Sequence, residues 1–377
     1  MRCAGRSIFS GELLELEFGR AIERVEPVLE PPLEAIDAKR FPWIAPGFID
    51  LQVNGFASAD FNAAEVPLET IASSLEAVFG TGVTRLFPTI VTASPEATLH
   101  ALRQLQRTRE TLARGRAMEA FHMEGPHISR DGGPLGAHPE RWVRAPDLEE
   151  YRRWQDAAEG NVRLITLSPE WPGAVRYIEQ IARDGVVAAI GHTAATPEQI
   201  QEAVQAGAAL STHLGNAAHA ELPRYRNYLW EQLADDRLAA SFIVDNFHLP
   251  DAFLRVALRA KGVDRSILVT DAVGPTLGEI ELERRDGRVV LKGGSRLSGS
   301  NLRMDAAIEN VARRAGVGLR EAIAMATINP ARVGRLQGRL RGFEPGERAD
   351  LVRFRFEEGR VQVAETWLDG EQVFKEE

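Results

Sequence analysis

The sequence predicts an α/β protein: a parallel (β/α)₈ barrel of the TIM type, with a small β-sandwich domain built from both chain ends. Three observations carry that prediction. Between residues 47 and 335, eight short apolar runs alternate with helix-like stretches. Those runs are apolar almost throughout, as strands covered on both faces must be. The two ends break the pattern, with short alternating or proline-punctuated pieces at 6–45 and 349–370.

The eight runs are FIDLQVNG (48–55), VTRLFPT (83–89), MEAFHMEG (118–125), VRLITLSP (162–169), VVAAIGHT (186–193), ALSTHLGNA (209–217), AASFIVDNFH (239–248) and SILVTDAV (266–273). Helices are expected between them. Ser94-Pro95 opens one that should run to about Arg114 and stop at Gly115, since proline suits a first helical turn and glycine its exit. Thr196-Pro197-Glu198 opens another ending at Gly207, and Pro250-Asp251 a third ending at Gly262. Repeated strand-then-helix units point to a barrel. An open doubly wound sheet would carry a G-x-G-x-x-G turn after its first strand, and none is there.

At the far end, ADLVRFRF and RVQVAETWLDG flank Glu357-Glu358-Gly359 as the arms of a hairpin. Residues 6–45 are broken by Pro27, Pro31, Pro32 and Pro42, with Pro46 just beyond. The expected division is therefore 1–46 and 336–377 for the small domain and 47–335 for the barrel.

Composition narrows the function. Of 377 residues, 44% are hydrophobic and 26% charged, which excludes a disordered chain. A net charge of -9 disfavours nucleic acid and anionic membrane as partners. No apolar run approaches the roughly 20 residues that span a bilayer. The opening MRCAGRSIFSGELLELEFGR lacks a signal-peptide core, so a cytoplasmic protein is expected. One cysteine, Cys3, excludes an internal disulfide, thiolate-rich metal sites and an Fe–S cluster. Lys39, Lys261, Lys292 and Lys375 are the only lysines among 45 basic residues. None ends a barrel strand, which disfavours a lysine-bridged metal pair and a Schiff-base lysine. There is no G-x-S-x-G elbow and no phosphate-cradling G-x-x-x-x-G-K loop.

Polar residues cluster where the runs end: Glu124, His192, His213, the Asp245-Asn246-Phe247-His248 stretch, and Asp271. Barrel active sites lie at the C-terminal ends of strands, so these side chains should meet on one rim. A carboxylate and two imidazoles from different strands can bind a divalent ion and leave a position open for water. A lone strand-end histidine is more often a hydrogen-bonded structural group; four such groups at the same end of four strands are a poor fit to chance. His122 lies deeper on the strand of Glu124, and a core role is expected. His100 belongs to a helix surface. His219, in the loop after the sixth strand, fits either reading.

PGFIDLQVNG, HMEGPHIS, GAHP, IGHTAAT, STHLGNAA, LVTDAV, LSGSNLRMDAAI, ATINPARVG and GFEPGERADLV, in this order from about residue 43 to 370, resemble the N-acetylglucosamine-6-phosphate deacetylase family of the amidohydrolase superfamily. The resemblance implies that Glu124, His192 and His213 hold one divalent metal ion per subunit, zinc first among zinc, iron, manganese and cobalt. It implies Asp271 as general base and acid, and His138 as the group that polarises the substrate carbonyl. Asn216 and Ala217 would contact the sugar, and Arg224 and His248 its phosphate end, with Arg226 a second candidate. It further implies a homodimer in which the neighbouring subunit completes the substrate site, and an amino sugar as small-molecule substrate.

Four features depart from the family pattern. Gln52 and Asn54 stand where many barrel amidohydrolases have H-x-H for a second metal. Leu-Pro-Arg-Tyr-Arg-Asn-Tyr (222–228) replaces an arginine followed by Glu-Pro-Gly. Asn246 replaces glycine, as one of the few residues tolerant of positive φ. His127 replaces an aromatic. The expected reaction is hydrolysis of the N-acetyl group of N-acetylglucosamine 6-phosphate. Alternatives are an unphosphorylated amino sugar, another N-acyl substrate, and a non-catalytic assembly protein.

Overall fold

The computed structural model describes residues 1–28 and 41–376; Pro31, Pro32 and Lys39 lie outside the described residues. All eight apolar runs are strands of one sheet: β1 (Phe48–Val53), β2 (Val83–Val91), β3 (Phe121–Glu124), β4 (Val162–Leu167), β5 (Val187–Ile190), β6 (Ala208–Ser211), β7 (Ala239–Phe242) and β8 (Ser266–Leu268). Each strand pairs in parallel with its neighbour in chain order. The ring closes just beyond β8. There the Asp271 N–H donates to the Gln52 carbonyl at 2.9 Å, and the Asn54 N–H to the Ala272 carbonyl at 2.8 Å. Val53 and Ala272 form a parallel bridge between them.

Helix starts follow the local chemistry. Ser94 Oγ accepts the Ala97 N–H at 3.1 Å at the head of the helix Pro95–Thr111. Thr196 and Gln199 form a reciprocal capping box on the helix Pro197–Gln205. Gly262, at φ 74°, ends the helix Asp251–Lys261. The first of these helices ends at Thr111 instead of near Arg114. The chain folds back so closely that a Cβ on Gly115 would lie 2.3 Å from the Arg109 carbonyl oxygen, so Gly115 opens a separate 3₁₀ turn.

The β-sandwich domain expected from both ends takes the form of one seven-stranded sheet. Its order is 371–375, 360–368, 351–357, 43–46, 2–7, 13–18 and 22–27. Trp43–Pro46 sits at the centre, antiparallel to Leu351–Glu357 and parallel to Arg2–Ser7, so the two ends meet on it. Glu358 and Gly359, at φ 51° and 77°, make the expected tight turn. Leu16, Phe18, Ile22, Ile44, Leu351 and Trp367 form a separate core beneath this sheet, together with Cys3. Burial pushes the Cys3 thiol up to about 12.

One buried carboxylate ties the sheet to the barrel. Asp350 Oδ2 lies 2.7 Å from Arg85 Nε in β2, 3.2 Å from Arg339 Nη2 and 3.1 Å from Arg348 Nε. Its Oδ1 accepts the Asp369 N–H at 2.6 Å. Burial alone would raise the Asp350 pKa, but the three guanidiniums hold it below the ordinary carboxylate value. Burial likewise brings Arg339 down to about 10.

Asp350→Asn keeps the shape but takes the carboxylate from buried Arg339 and the nearest one from Arg85, so it should destabilise the protein by about 3–5 kcal/mol. Denaturant titration measures this; a variant as stable as the parent refutes the clamp. Because the folded pKa lies below the unfolded one, the carboxylate's contribution is present above roughly pH 4. It fades as pH falls through the folded value. The variant should therefore lose part of the acid sensitivity of the parent.

Candidate active site

The strand ends place the polar groups on one rim. Glu124 is the last residue of β3; His192 and His213 follow β5 and β6 by two residues, and Asp271 follows β8 by three. All four are buried. His192, His213 and Asp271 have φ of 50°, 29° and 50°, left-handed backbone that costs a non-glycine residue about 1–3 kcal/mol. The turn of the chain at each strand end is what aims these side chains inward.

Glu124 Oε1 lies 2.8 Å from His213 Nε2 and 3.3 Å from His192 Nε2, and the two imidazole nitrogens are 3.2 Å apart. The tautomer of His192 is fixed by its other nitrogen. Nδ1 lies 2.8 Å from the Pro134 carbonyl, which can only accept, so Nδ1 carries the hydrogen and a neutral ring presents a bare lone pair at Nε2. His213 Nδ1 is buried without a hydrogen-bond partner among the described residues. Burial would raise the Glu124 pKa, but the two histidines beside it pull it well below the ordinary value. One oxygen and two nitrogen donors thus converge within 4.8 Å, a set that fits a divalent cation.

Gln52 and Asn54 do different work at the positions where a second metal would need ligands. Gln52 Nε2 donates to Glu124 Oε1 at 2.7 Å and to Asp271 Oδ1 at 3.1 Å; Asn54 Nδ2 donates to the same Asp271 oxygen at 2.6 Å. Their amides act as donors that orient two carboxylates. Burial, with the charge of Glu124 nearby, pushes the Asp271 carboxyl upward.

These groups open into a cavity of about 600 Å³. His138, Asn216, Ala217 and His248 line it with Glu124, His192, His213 and Asp271. The His138 ring meets that of His192 edge-on at 4.4 Å, and its Nδ1 lies 2.9 Å from Thr92 Oγ1. Burial brings its pKa down to about 3, so the ring is neutral near pH 7. His248 Nδ1 is 2.7 Å from Asp245 Oδ2. Asn246 adopts φ 76°, the conformation for which asparagine was expected.

Arg224 and Arg226 stand outside this cavity. Arg226 is exposed and pairs with Glu198, while the Arg224 guanidinium lies over the Tyr225 ring at 5.8 Å. The arginine that does line the cavity is Arg296, whose Nη1 donates to the Gly136 carbonyl at 2.6 Å. Its only signal in the sequence is adjacency: it directly precedes the LSGSNLRMDAAI motif.

The other histidines resolve. His122 is buried with Nε2 2.8 Å from Thr166 Oγ1, a core group as expected. His127 stacks on Trp154 and meets Tyr177 edge-on, both at 5.3 Å, and serves packing away from the cavity. His100 is exposed on its helix. His219 sits on the cavity wall, 3.1 Å from Asp131 Oδ2.

The sequence model of the Amidohydrolase family matches residues 43–373. N-acetylglucosamine-6-phosphate deacetylase from Bos taurus is 32% identical over 355 residues, covering 89% of this chain and 84% of that one. N-acetylgalactosamine-6-phosphate deacetylase from Shewanella sp. (strain ANA-3) is 33% identical over 342 residues, covering 88% and 83%. The crystal structure of N-acetyl-D-glucosamine-6-phosphate deacetylase from Mycobacterium smegmatis superposes with a TM-score of 0.85 at 30% identity, over 99% of this chain and 100% of that one. With its barrel, its convergent strand-end ligands and a family match across most of its length, this chain belongs to the amidohydrolase family.

Proposed function

We propose that this enzyme removes the N-acetyl group from N-acetylglucosamine 6-phosphate, or a close N-acetylamino-sugar phosphate, giving acetate and the amino sugar phosphate. The observation that carries the reading is the convergence of Glu124, His192 and His213 beside Asp271 and His138 in one cavity. The names of the relatives supply the substrate class.

Glu124, His192 and His213 would hold one divalent ion, with zinc the first choice for a carboxylate and two imidazoles and iron, manganese and cobalt the alternatives. Such an ion supplies Lewis acidity and lowers the pKa of water from 15.7 to about 7. The chain's own groups do the rest. Asp271, with Oδ1 fixed by Gln52 and Asn54, takes a proton from the attacking water and returns it to the leaving amine. If the Thr92 hydroxyl donates to His138 Nδ1, the single ring hydrogen sits on Nε2, where it can donate to the acyl oxygen as negative charge develops. One such donor is worth roughly 3 kcal/mol. Asn216 and Ala217 would contact the sugar, and His248, oriented by Asp245, its far end.

We further take the protein to be a cytoplasmic homodimer, with the barrel and small domain divided at residues 46 and 336. Exposed Tyr225 and Trp230 on the segment that carries Arg224 and Arg226 support a neighbouring subunit there. An unphosphorylated N-acetylamino sugar is the second reading, favoured by the position of Arg224 and Arg226 outside the cavity.

Asp271→Asn should fold and keep its metal while kcat falls by about 10²–10⁴; turnover near that of the parent rules the proton carrier out. Glu124→Gln should lose stoichiometric metal on elemental analysis, and activity with it. Chelation should abolish turnover and divalent-ion addition restore it. Sedimentation should return twice the chain mass of 41.5 kDa; a monomer at working concentration would remove the neighbour from the site.

A further inference from the structure

We propose that Val91, Leu277 and Ile280 limit the length of the acyl group the site accepts, and that a longer N-acyl chain would lie in the cavity behind them once they are cut back. The inference rests on the deacetylase reading above. A second cavity of about 420 Å³ lies beside the first, and these three residues line both. A single layer of apolar side chains therefore separates the two. That layer packs with Val273 and Val289 as one cluster. The far cavity is lined in part by Ile90, Ala97 and Ala101 and reaches solvent at exposed Glu65 and His100.

The partition is held in place from two sides. Val91 is the last residue of β2, and its N–H donates to Asn62 Oδ1 at 2.8 Å. Leu277 and Ile280 flank a tight turn, closed by the Ile280 N–H on the Leu277 carbonyl at 2.9 Å. Buried Asp60 anchors that turn: its Oδ2 accepts the Thr276 hydroxyl at 2.8 Å and the Gly278 N–H at 2.7 Å.

Strand order decides which end of an amide meets this wall. Asn216 and Ala217 follow β6 and His248 follows β7, so in the deacetylase reading the sugar lies on their side of the rim. In a ring of eight, β2 stands opposite β6. An amide carbonyl carries its nitrogen and its acyl carbon on opposite sides. With the carbonyl beside Glu124 and His138, and the sugar toward β6, the acyl carbon faces β2, where Val91 pairs in register with Glu124. An acetyl methyl can rest against such a wall. Each further methylene must displace it, which in a hydrophobic pocket costs about 10–200-fold in kcat/KM.

Kinetics of the metal-loaded parent, Ile280→Ala and Leu277→Ala on N-acetyl- and N-butyrylglucosamine 6-phosphate test the assignment. The parent should prefer the acetyl substrate by about a hundredfold or more, and either truncation should shrink that preference about tenfold. Ala97→Leu, which refills the far cavity, should cancel the gain when added to Ile280→Ala. A parent that takes both substrates equally overturns the proposal, as does an unchanged preference in both truncations. So does a gain that Ala97→Leu leaves intact, or an equal gain in Ile243→Ala, which lines the first cavity and not the second. Calorimetric binding of acetate and butyrate to the metal-loaded parent and Ile280→Ala reads the same space without turnover. At about fourfold per buried methylene, butyrate should gain about tenfold over acetate in the variant alone; no such gain overturns the proposal. A parent that hydrolyses neither sugar defeats the deacetylase reading, and the carboxylate comparison then still decides the role of the partition.

Discussion

Three electron-pair donors that face one another across about 3 Å with at most one hydrogen among them cannot all be satisfied. Glu124 Oε1 and the two Nε2 atoms of His192 and His213 are in that position, and the Pro134 carbonyl removes the tautomer by which His192 could have donated across the gap. A cation relieves that mutual repulsion. Much of the surrounding architecture makes sense as the means of keeping the three donors together. Strands of a closed sheet deliver them from separate directions, left-handed turns aim them, and Gln52 supplies the carboxylate with an N–H donor.

The strain at those turns needs a stiff frame to hold it. Side chains of the barrel interior provide part of it: His122, Thr166 and Thr212 form a continuous hydrogen-bonded row below the rim. The clamp of Asp350 on Arg85, Arg339 and Arg348 provides another part, because it fixes the chain ends to β2. Chemistry at one end of the strands and anchoring by the terminal sheet are thus separate tasks given to separate residues, a division common to barrel enzymes.

The barrel was legible because strands buried on both faces leave unbroken apolar runs, a signal that needs no knowledge of partners. Glu124, His192, His213 and Asp271 were legible for a related reason: each polar residue interrupts a run at its C-terminal end. His138, Asn216 and Ala217 lie on loops and became visible only through resemblance to a family. Features that depend on distant pairing carried no such signal. Arg85 and Asp350 are 265 residues apart, and nothing in either neighbourhood announces the other. Arg296 escaped notice because its wall is built from an irregular segment whose fold is set by packing of Val273, Leu277, Ile280 and Val289 against Val91. Arg224 and Arg226 show the converse, since resemblance to a family put them near a cavity whose lining in this chain does not include them.

The seam of the barrel adds something further. β8 ends short of the seam with β1; the stitches are made by Gln52, Asn54, Asp271 and Ala272, and two of those residues' side chains also position the carboxyl of a third. The fastener of the ring and the seat of its proton carrier are therefore one structure. Breathing of the barrel at this joint would unseat Asp271 before any strand came apart. Thermal inactivation of such an enzyme should run ahead of its melting, with slow amide exchange persisting in the other strands after turnover has gone.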